Sequence, residues 1–466
     1  MEILMHIDAQ FVAKVLPNIL IQGKFPVDAN FTVDSRTVQK GDVFVAIVGA
    51  QVDGHDFIEQ ALQNGASGII ANRSYEKSLM QKYGKEFENK AIVFVPDSAQ
   101  ALIDIAHAWR MQFNYPVAAI TGSVGKTTTK EIVRNILKQT DKKYIVSAGN
   151  QNTLIGVSLN ILKMRADHQV AVFELGIAEK GSMKKLVQLL RPSFAAITYV
   201  GHGHMQGLGD VSEVAREKRE IFSMLSLADV GIINGDQKEL SEVSYAHPVI
   251  RFGKKTTNQI QARKIIIHNN SISFIAKIYQ KKYAVILPTV NQVRVNNALC
   301  AMAVGKFLQI SDEHLIQGIS QPVVVEGRFQ ILPHISGSII IHDAYNANPE
   351  SMKASLMAFE AYQTPLKKVL VLGDMMELGA QSNFWHRQLG RMARKVSNLE
   401  SIVLIGKHVE WTKKTVPFGV KTMKFDMIED AFDIVKSMLL QKDKVILFKA
   451  SNSLRFSQLI QKLQEI

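Results

Sequence analysis

The 466-residue sequence has a single cysteine, Cys300, so no internal disulfide can form. Cys300 lies in the apolar stretch 298–304 and reads as a core residue. No stretch approaches ~18 uninterrupted apolar residues, so no membrane span is expected. The first ten residues include Glu2, His6 and Asp8 and lack the basic start and apolar core of a secretory leader. A cytoplasmic protein is therefore expected. There is no internal repeat, no low-complexity segment and no run of like charge. Net charge is +13, but the basic residues are spread along the chain. That pattern suits a soluble enzyme of acidic small molecules, and no nucleic-acid partner is expected. Apolar residues at 47% and charged residues at 21% describe a folded chain with material for several cores.

The reading is α/β with three regions. In 1–113, the segments 42–48, 68–71 and 91–95 read as strands, and 55–64 and 98–111 as helices: a small mixed unit. In 114–320, an apolar strand at 116–121 precedes a glycine-containing turn and a helix at 126–138. Further short apolar runs at 170–175, 195–200 and 230–234 alternate with helices, which indicates a mostly parallel sheet covered on both faces. Segment 260–287 changes to antiparallel strands, and 296–307 returns to helix. In 321–466, strands at 338–342, 368–372, 401–405 and 444–448 alternate with helices at 349–362, 383–396, 428–440 and 454–464. That is a Rossmann-like, doubly wound pattern, with ligands expected at the carboxyl ends of the strands.

The strongest local signal is Gly122-Ser123-Val-Gly125-Lys126-Thr127-Thr128, placed after a strand and at a helix start. Glycines let the backbone curl so that its N–H groups face phosphate oxygens, and the helix terminus adds positive potential. Lys126 is the candidate for the β/γ phosphates of ATP, with the Thr127 hydroxyl on Mg²⁺. The general pattern has a glycine at position 120; here Ile120 stands there and the loop's other glycine is Gly122.

Other candidates follow downstream. Glu174 ends a strand at the mouth of the same sheet, where a carboxylate can hold Mg²⁺. His202 and His204 lie in a glycine-rich turn and read either as metal ligands or as turn residues. Lys218 sits in a charged helix, 211–222, whose pattern alone reads as a solvated face. Arg328 follows Gly327, and Asp343-Ala-Tyr-Asn346-Ala-Asn348-Pro349 joins a strand to a helix. Asn348 with Pro349 is good capping chemistry, and capping and ligand binding can coexist at such a switch point.

Taken together these residues resemble the Mur ligase family over nearly the whole chain. The resemblance rests on Thr121-Gly-Ser-Val-Gly-Lys-Thr-Thr128, Gly149-Asn150-Gln-Asn152 with Ile155-Gly156, Glu174-Leu-Gly176 and Glu-Gly-Arg328. Tyr345-Asn-Ala-Asn-Pro349, Leu372-Gly-Asp-Met-Met-Glu-Leu-Gly379, Asp34-Ser-Arg36 and Asp53-Gly-His55 resemble the branch that adds D-alanyl-D-alanine. The resemblance implies an ATP-dependent ligase whose other partners are a UDP-N-acetylmuramoyl tripeptide and D-alanyl-D-alanine. It implies two Mg²⁺ ions and a carbamate on Lys218, with Glu174, His204 and Thr127 as further ligands. It places Ser35 and Arg36 at the uridine nucleotide, and Asn150 and Asn152 near substrate and phosphates. Asn297 and Asn346 are placed near adenine, with Arg328 and Asp343 near ribose and phosphates. A monomer is expected.

The chain departs from the family at Val293-Arg294, where a His-Asn pair is usual. It departs also at His342-Asp343, at Lys449-Ala-Ser-Asn452 and at His202. Three alternatives stay open: a sibling ligase that adds a single amino acid or is like folylpolyglutamate synthase, a nucleotide-dependent nucleic-acid switch, and a scaffold without turnover. The ligase chemistry implies domain closure, with hinges expected near 321–328 and 113–116.

Overall fold

The computed structural model describes residues 6–17, 19–203 and 205–466. It contains sheets of five, nine and six strands, the three-domain α/β architecture read from the sequence. Compactness divides the chain into two units. One comprises 1–119, 142–176 and 184–193; the other comprises 120–141, 177–183 and 194–466.

In the first unit, Phe31–Thr32, Val43–Val45, Gly68–Asn72 and Ala91–Val95 pair in parallel, and Leu20–Gln22 closes the far edge antiparallel. Ala91–Val95 is wholly buried, as expected for a strand covered on both faces. The Asp97 carboxylate caps helix Ser98–Arg110 by accepting from Ala99 and Gln100 N–H. The expected helix 55–64 is instead a 3₁₀ turn, Gly54–Phe57, leading into Ile58–Gln63. The Asp53 side chain accepts the His55 N–H and tightens that turn. The expected strand 42–48 is a strand only over Val43–Val45, and Val48 forms an isolated antiparallel bridge with Asp53. The same unit holds Tyr144–Val146 beside Val170–Glu174, in parallel.

In the second unit, Phe194–Ile197, Val230–Asn234, Val249–Gly253 and Ile260–His268 run parallel, and Ser271–Ile278 and Lys281–Leu287 continue antiparallel. Helix Lys126–Leu137 packs on Val293–Phe307, where Cys300 is fully buried. The last sheet runs Gln330–Pro333, Ile339–His342, Lys444–Lys449, Lys367–Gly373, Leu399–Ile405, Lys421–Phe425. All its pairs are parallel except the first. The edge strands Gln330–Pro333 and Lys421–Phe425 escape the sequence reading because neither is a buried apolar run. Among the described residues, no helix is long and apolar enough to cross a membrane.

Candidate active site

The phosphate loop leaves strand Val117–Thr121 and enters helix Lys126–Leu137 through Gly125, whose φ of +91° is left-handed. An added Cβ at Gly125 would lie 2.3 Å from Asn297 Oδ1, and one at Gly122 would lie 2.0 Å from Thr198 Oγ1. Both glycines are therefore demanded by close approach as well as by backbone shape. The loop is tied to the end of the next strand. Ser123 N–H donates to the Tyr199 carbonyl at 2.6 Å, and the Thr198 hydroxyl donates to the Val124 carbonyl at 2.6 Å. The Ser123 hydroxyl accepts from Gly201 N–H at 3.0 Å and donates to the Gly201 carbonyl at 3.2 Å. Lys126 Nζ donates to the Gly122 carbonyl at 2.8 Å. Thr127 and Thr128 are buried. Gly125→Ala is expected to weaken nucleotide binding by roughly tenfold or more, since it strains φ and clashes with Asn297 together. Titration of a fluorescent ATP analogue reads this, and parent-like affinity would contradict it.

Lys218 separates cleanly from its charged neighbours. Helix Val211–Arg219 exposes Arg216, which pairs with Glu213 at 2.8 Å, but buries Val214, Ala215, Glu217 and Lys218. Lys218 is 1% exposed. Burial drives its amine well below the ordinary lysine range, the Lys126 charge pushes the same way, and Glu217 opposes. The Glu217 carboxylate is committed to Gly181 and Met183 N–H, at 2.9 and 2.8 Å. The helical charge pattern could not reveal this, because which turn faces inward depends on what packs against it. His204 lies outside the described residues. Its neighbour His202 meets the Glu350 carboxylate and packs its ring against Trp385, at 4.6 Å between centroids.

Asn297 lines a cavity of about 470 Å³, together with Tyr199, Asn296, Glu350, Met357 and Trp385. Its size and partly aromatic wall suit a nucleoside. Asn296 Oδ1 is buried there without a hydrogen-bond partner. Sequence reading passed over Asn296, Glu350 and Trp385, since nothing in their local spacing marks them.

Arg328, Asp343 and Asn346 do not line this cavity; they form a group of their own around Lys449. Lys449 is fully buried, and its Nζ donates to Asp343 Oδ2 at 3.0 Å and to the Asp343 and Asn346 carbonyls at 3.1 and 3.3 Å. Asp343 Oδ1 accepts the Phe329 N–H at 3.0 Å. The Arg328 guanidinium lies 4.1 Å from the centre of the Tyr345 ring. Asn346 Oδ1 accepts the Ala347 N–H, and Asn346 itself is exposed. Arg294, at a family departure, donates to the Val323 and Arg328 carbonyls at 2.7 and 3.2 Å, bracing segment 321–328. Asn348 and Ser351 complete the expected helix cap as a reciprocal capping box.

In the first unit, Asn152 Nδ2 donates to Glu174 Oε1 at 2.7 Å, and Glu174 N–H donates to the Ser147 hydroxyl. Glu174 is 1% exposed, and its Oε2 is buried without a hydrogen-bond partner. Asn150 joins the same turn, its carbonyl accepting the Asn152 N–H at 2.7 Å. Ser35 is buried and donates to Gln60 Oε1 at 2.6 Å, whereas Arg36 extends outward and pairs with Asp34. The Arg36 hydrogen bond lowers the Asp34 carboxyl. Asp53-Gly-His55 is a turn-building motif. Asp53 accepts from Tyr75 and meets His55 Nδ1, and His55 Nε2 accepts the Asn72 N–H.

With this geometry in place, comparison decides the family. Family models match 29–110 ("Mur ligase family, catalytic domain"), 120–305 ("Mur ligase middle domain") and 327–452 ("Mur ligase, glutamate ligase domain"). The UDP-N-acetylmuramoyl-tripeptide--D-alanyl-D-alanine ligase of Bacillus subtilis is 31% identical over 93% of this chain and 92% of its own. The chain belongs to the Mur ligase family. Among solved Mur ligases, MurF from Acinetobacter baumannii superposes with a TM-score of 0.83 at 28% identity, covering 99% of this chain and 100% of that one. MurF ligase from Thermotoga maritima, in complex with ADP, gives 0.76 at 28% identity, covering 94% and 97%.

Proposed function

We propose that this Mur ligase joins D-alanyl-D-alanine to a UDP-N-acetylmuramoyl tripeptide at the expense of ATP, in cytoplasmic assembly of a peptidoglycan precursor. The observation that carries the reading is the full-length likeness to the D-alanyl-D-alanine ligases of that name. In the reaction, a carboxylate oxygen of the tripeptide attacks the γ-phosphorus and ADP leaves. The amine of D-alanyl-D-alanine then attacks the acyl phosphate carbonyl and gives up a proton, and inorganic phosphate leaves with the former carboxylate oxygen. The product is the pentapeptide amide.

The residues divide the labour as follows. Gly122, Ser123, Gly125, Thr128 and the helix terminus cradle the phosphates, and Lys126 neutralises charge between two approaching anions. Each candidate ligand suits Mg²⁺ by its own chemistry: Thr127 offers a hydroxyl, and Glu174 a buried, unpartnered carboxylate oxygen of the kind a hard cation takes. A bound Mg²⁺ would supply polarisation of the transferred phosphoryl group. Lys218 with its depressed pKa supports a carbamate, because only the neutral amine reacts with CO₂. His204 stands as the companion ligand. Asn297 serves the base, the role proposed also for Asn346; Arg328 and Asp343 serve the ribose-phosphate side; Asn150 and Asn152 serve the acyl end and phosphates; Ser35 and Arg36 serve the uridine nucleotide. The functional regions are 1–113 for the UDP substrate, 114–320 for ATP and 321–466 for ligation, acting in a monomer.

The test is phosphate release from ATP with the tripeptide substrate present, with and without D-alanyl-D-alanine, and mass analysis of the product. Release that requires both substrates and yields the pentapeptide is expected. Turnover with a single amino acid as acceptor would move the chain to a sibling ligase. ATP turnover stimulated by nucleic acid alone would remove it from ligation.

A further inference from the structure

Glu350 is the second residue of helix Pro349–Ala361, yet the cap of that helix is already complete through Asn348 and Ser351. Its carboxylate is turned elsewhere. Oε1 and Oε2 accept the His202 backbone N–H at 3.1 and 3.2 Å, and Oε1 meets His202 Nδ1 at 2.5 Å. Gly201 makes room for it: an added Cβ there would lie 2.6 Å from the Glu350 carboxyl carbon. The same turn is held from the phosphate-loop side by Ser123, through both polar groups of Gly201. Beyond the turn, Gln206 N–H donates to the Glu377 carbonyl at 3.0 Å, and Glu377 holds a left-handed φ of +62°. Two elements of the last sheet's region thus hold His202 and Gln206. Glu350 also lines the nucleoside cavity.

We propose that Glu350 is a positioning residue that sets the Gly201–His202 turn, and through Ser123 the phosphate loop, only while helix Pro349–Ala361 is docked on that turn. The third region then shapes the phosphate side of the ATP site from a distance, through a turn it does not belong to. A carboxylate held by a backbone N–H suits this task, since charge-assisted hydrogen bonds are short and directional. The inference rests on the ATP-ligase reading of the same site.

The test compares Glu350→Ala, Glu350→Gln and His202→Ala with the parent chain. Hydrogen exchange of peptides covering 199–206 is the direct readout. In Glu350→Ala that exchange should accelerate roughly tenfold, as expected for losing a charge-assisted bond. Binding of Mn²⁺ in the presence of a non-hydrolysable ATP analogue, read by electron paramagnetic resonance, should weaken roughly 10–100-fold. Turnover should fall about 10²-fold with little change in KM for the UDP substrate, since a displaced turn misplaces ligands and leaves the distant site alone. Glu350→Gln, which keeps one acceptor oxygen, should recover much of the loss. His202→Ala should fall between, because the backbone bond survives. Parent-like exchange and Mn²⁺ binding in Glu350→Ala would overturn the proposal. So would a rise in KM for ATP with unchanged exchange, which marks a direct nucleotide contact. If Glu350→Ala does not fold, His202→Ala decides, with faster exchange supporting and parent exchange overturning. Absence of ligase turnover in the parent chain would count against the proposed function, and the exchange result would still judge Glu350.

Discussion

Lys126→Met is expected to lower ATP-driven amide formation by roughly 10³-fold or more, the scale seen when a cationic group on a transferring phosphoryl is lost. The methionine keeps the apolar stem, so the loop should hold its shape. Ser123, Thr198 and the two left-handed glycines restrain that loop independently of the amine. What the variant removes is the charge proposed to let a carboxylate approach a triphosphate. Repulsion between such anions is strong in a site shielded from water. Phosphate release and product mass, measured beside nucleotide binding, separate the two effects. A variant that turns over within tenfold of the parent would remove Lys126 from the chemistry.

The second large effect concerns Lys218. Lys218→Met should cost about 10²–10⁴-fold in turnover while making the folded protein more stable, a combination that few positions allow. The sign follows from linkage. Burial, then the Lys126 charge, lowers the folded-state pKa of the amine. Unfolded, the same lysine titrates near its ordinary value. Between the two values the unfolded chain binds more protons, so stability rises with pH across that window and falls as pH drops through it. A neutral isostere escapes this penalty. Urea unfolding near neutral pH should show a raised midpoint for Lys218→Met, with the gain shrinking as pH approaches the ordinary lysine value. Activity carries the complementary signature. Only the neutral amine takes up CO₂, so buffer freed of CO₂ should depress turnover, bicarbonate should restore it, and the dependence should steepen as pH falls. Parent-like turnover in Lys218→Met would exclude a carbamate there.

These two lysines illustrate different kinds of legibility. Lys126 is readable because its setting is local: a strand, a glycine turn and a helix start lie in one stretch of chain, and backbone sterics demand them together. The alternation of apolar strands with helices, and with it the α/β architecture, is readable for the same reason, since side-chain periodicity is a property of neighbours in sequence. Asn348 and its helix cap belong to this class.

Lys218 does not. In sequence it is one of six charged residues between Val211 and Phe222, and only tertiary packing distinguishes it, burying Lys218 while leaving Arg216 in water. Glu350 is the sharper case. It lies 148 residues from its partner His202, and no spacing rule links them. Asp53-Gly-His55 was visible as a motif, but its work in building a turn with Tyr75 and Asn72 appears only when distant strands are brought together. Sequence by itself determined the phosphate loop and the order of the sheets, because these follow from local periodicity and backbone constraint, and its motif residues carried the family resemblance. Tertiary structure decided which charges are buried, which carboxylates are gripped and which asparagines face a cavity, because burial and long-range hydrogen bonds belong to the packed chain.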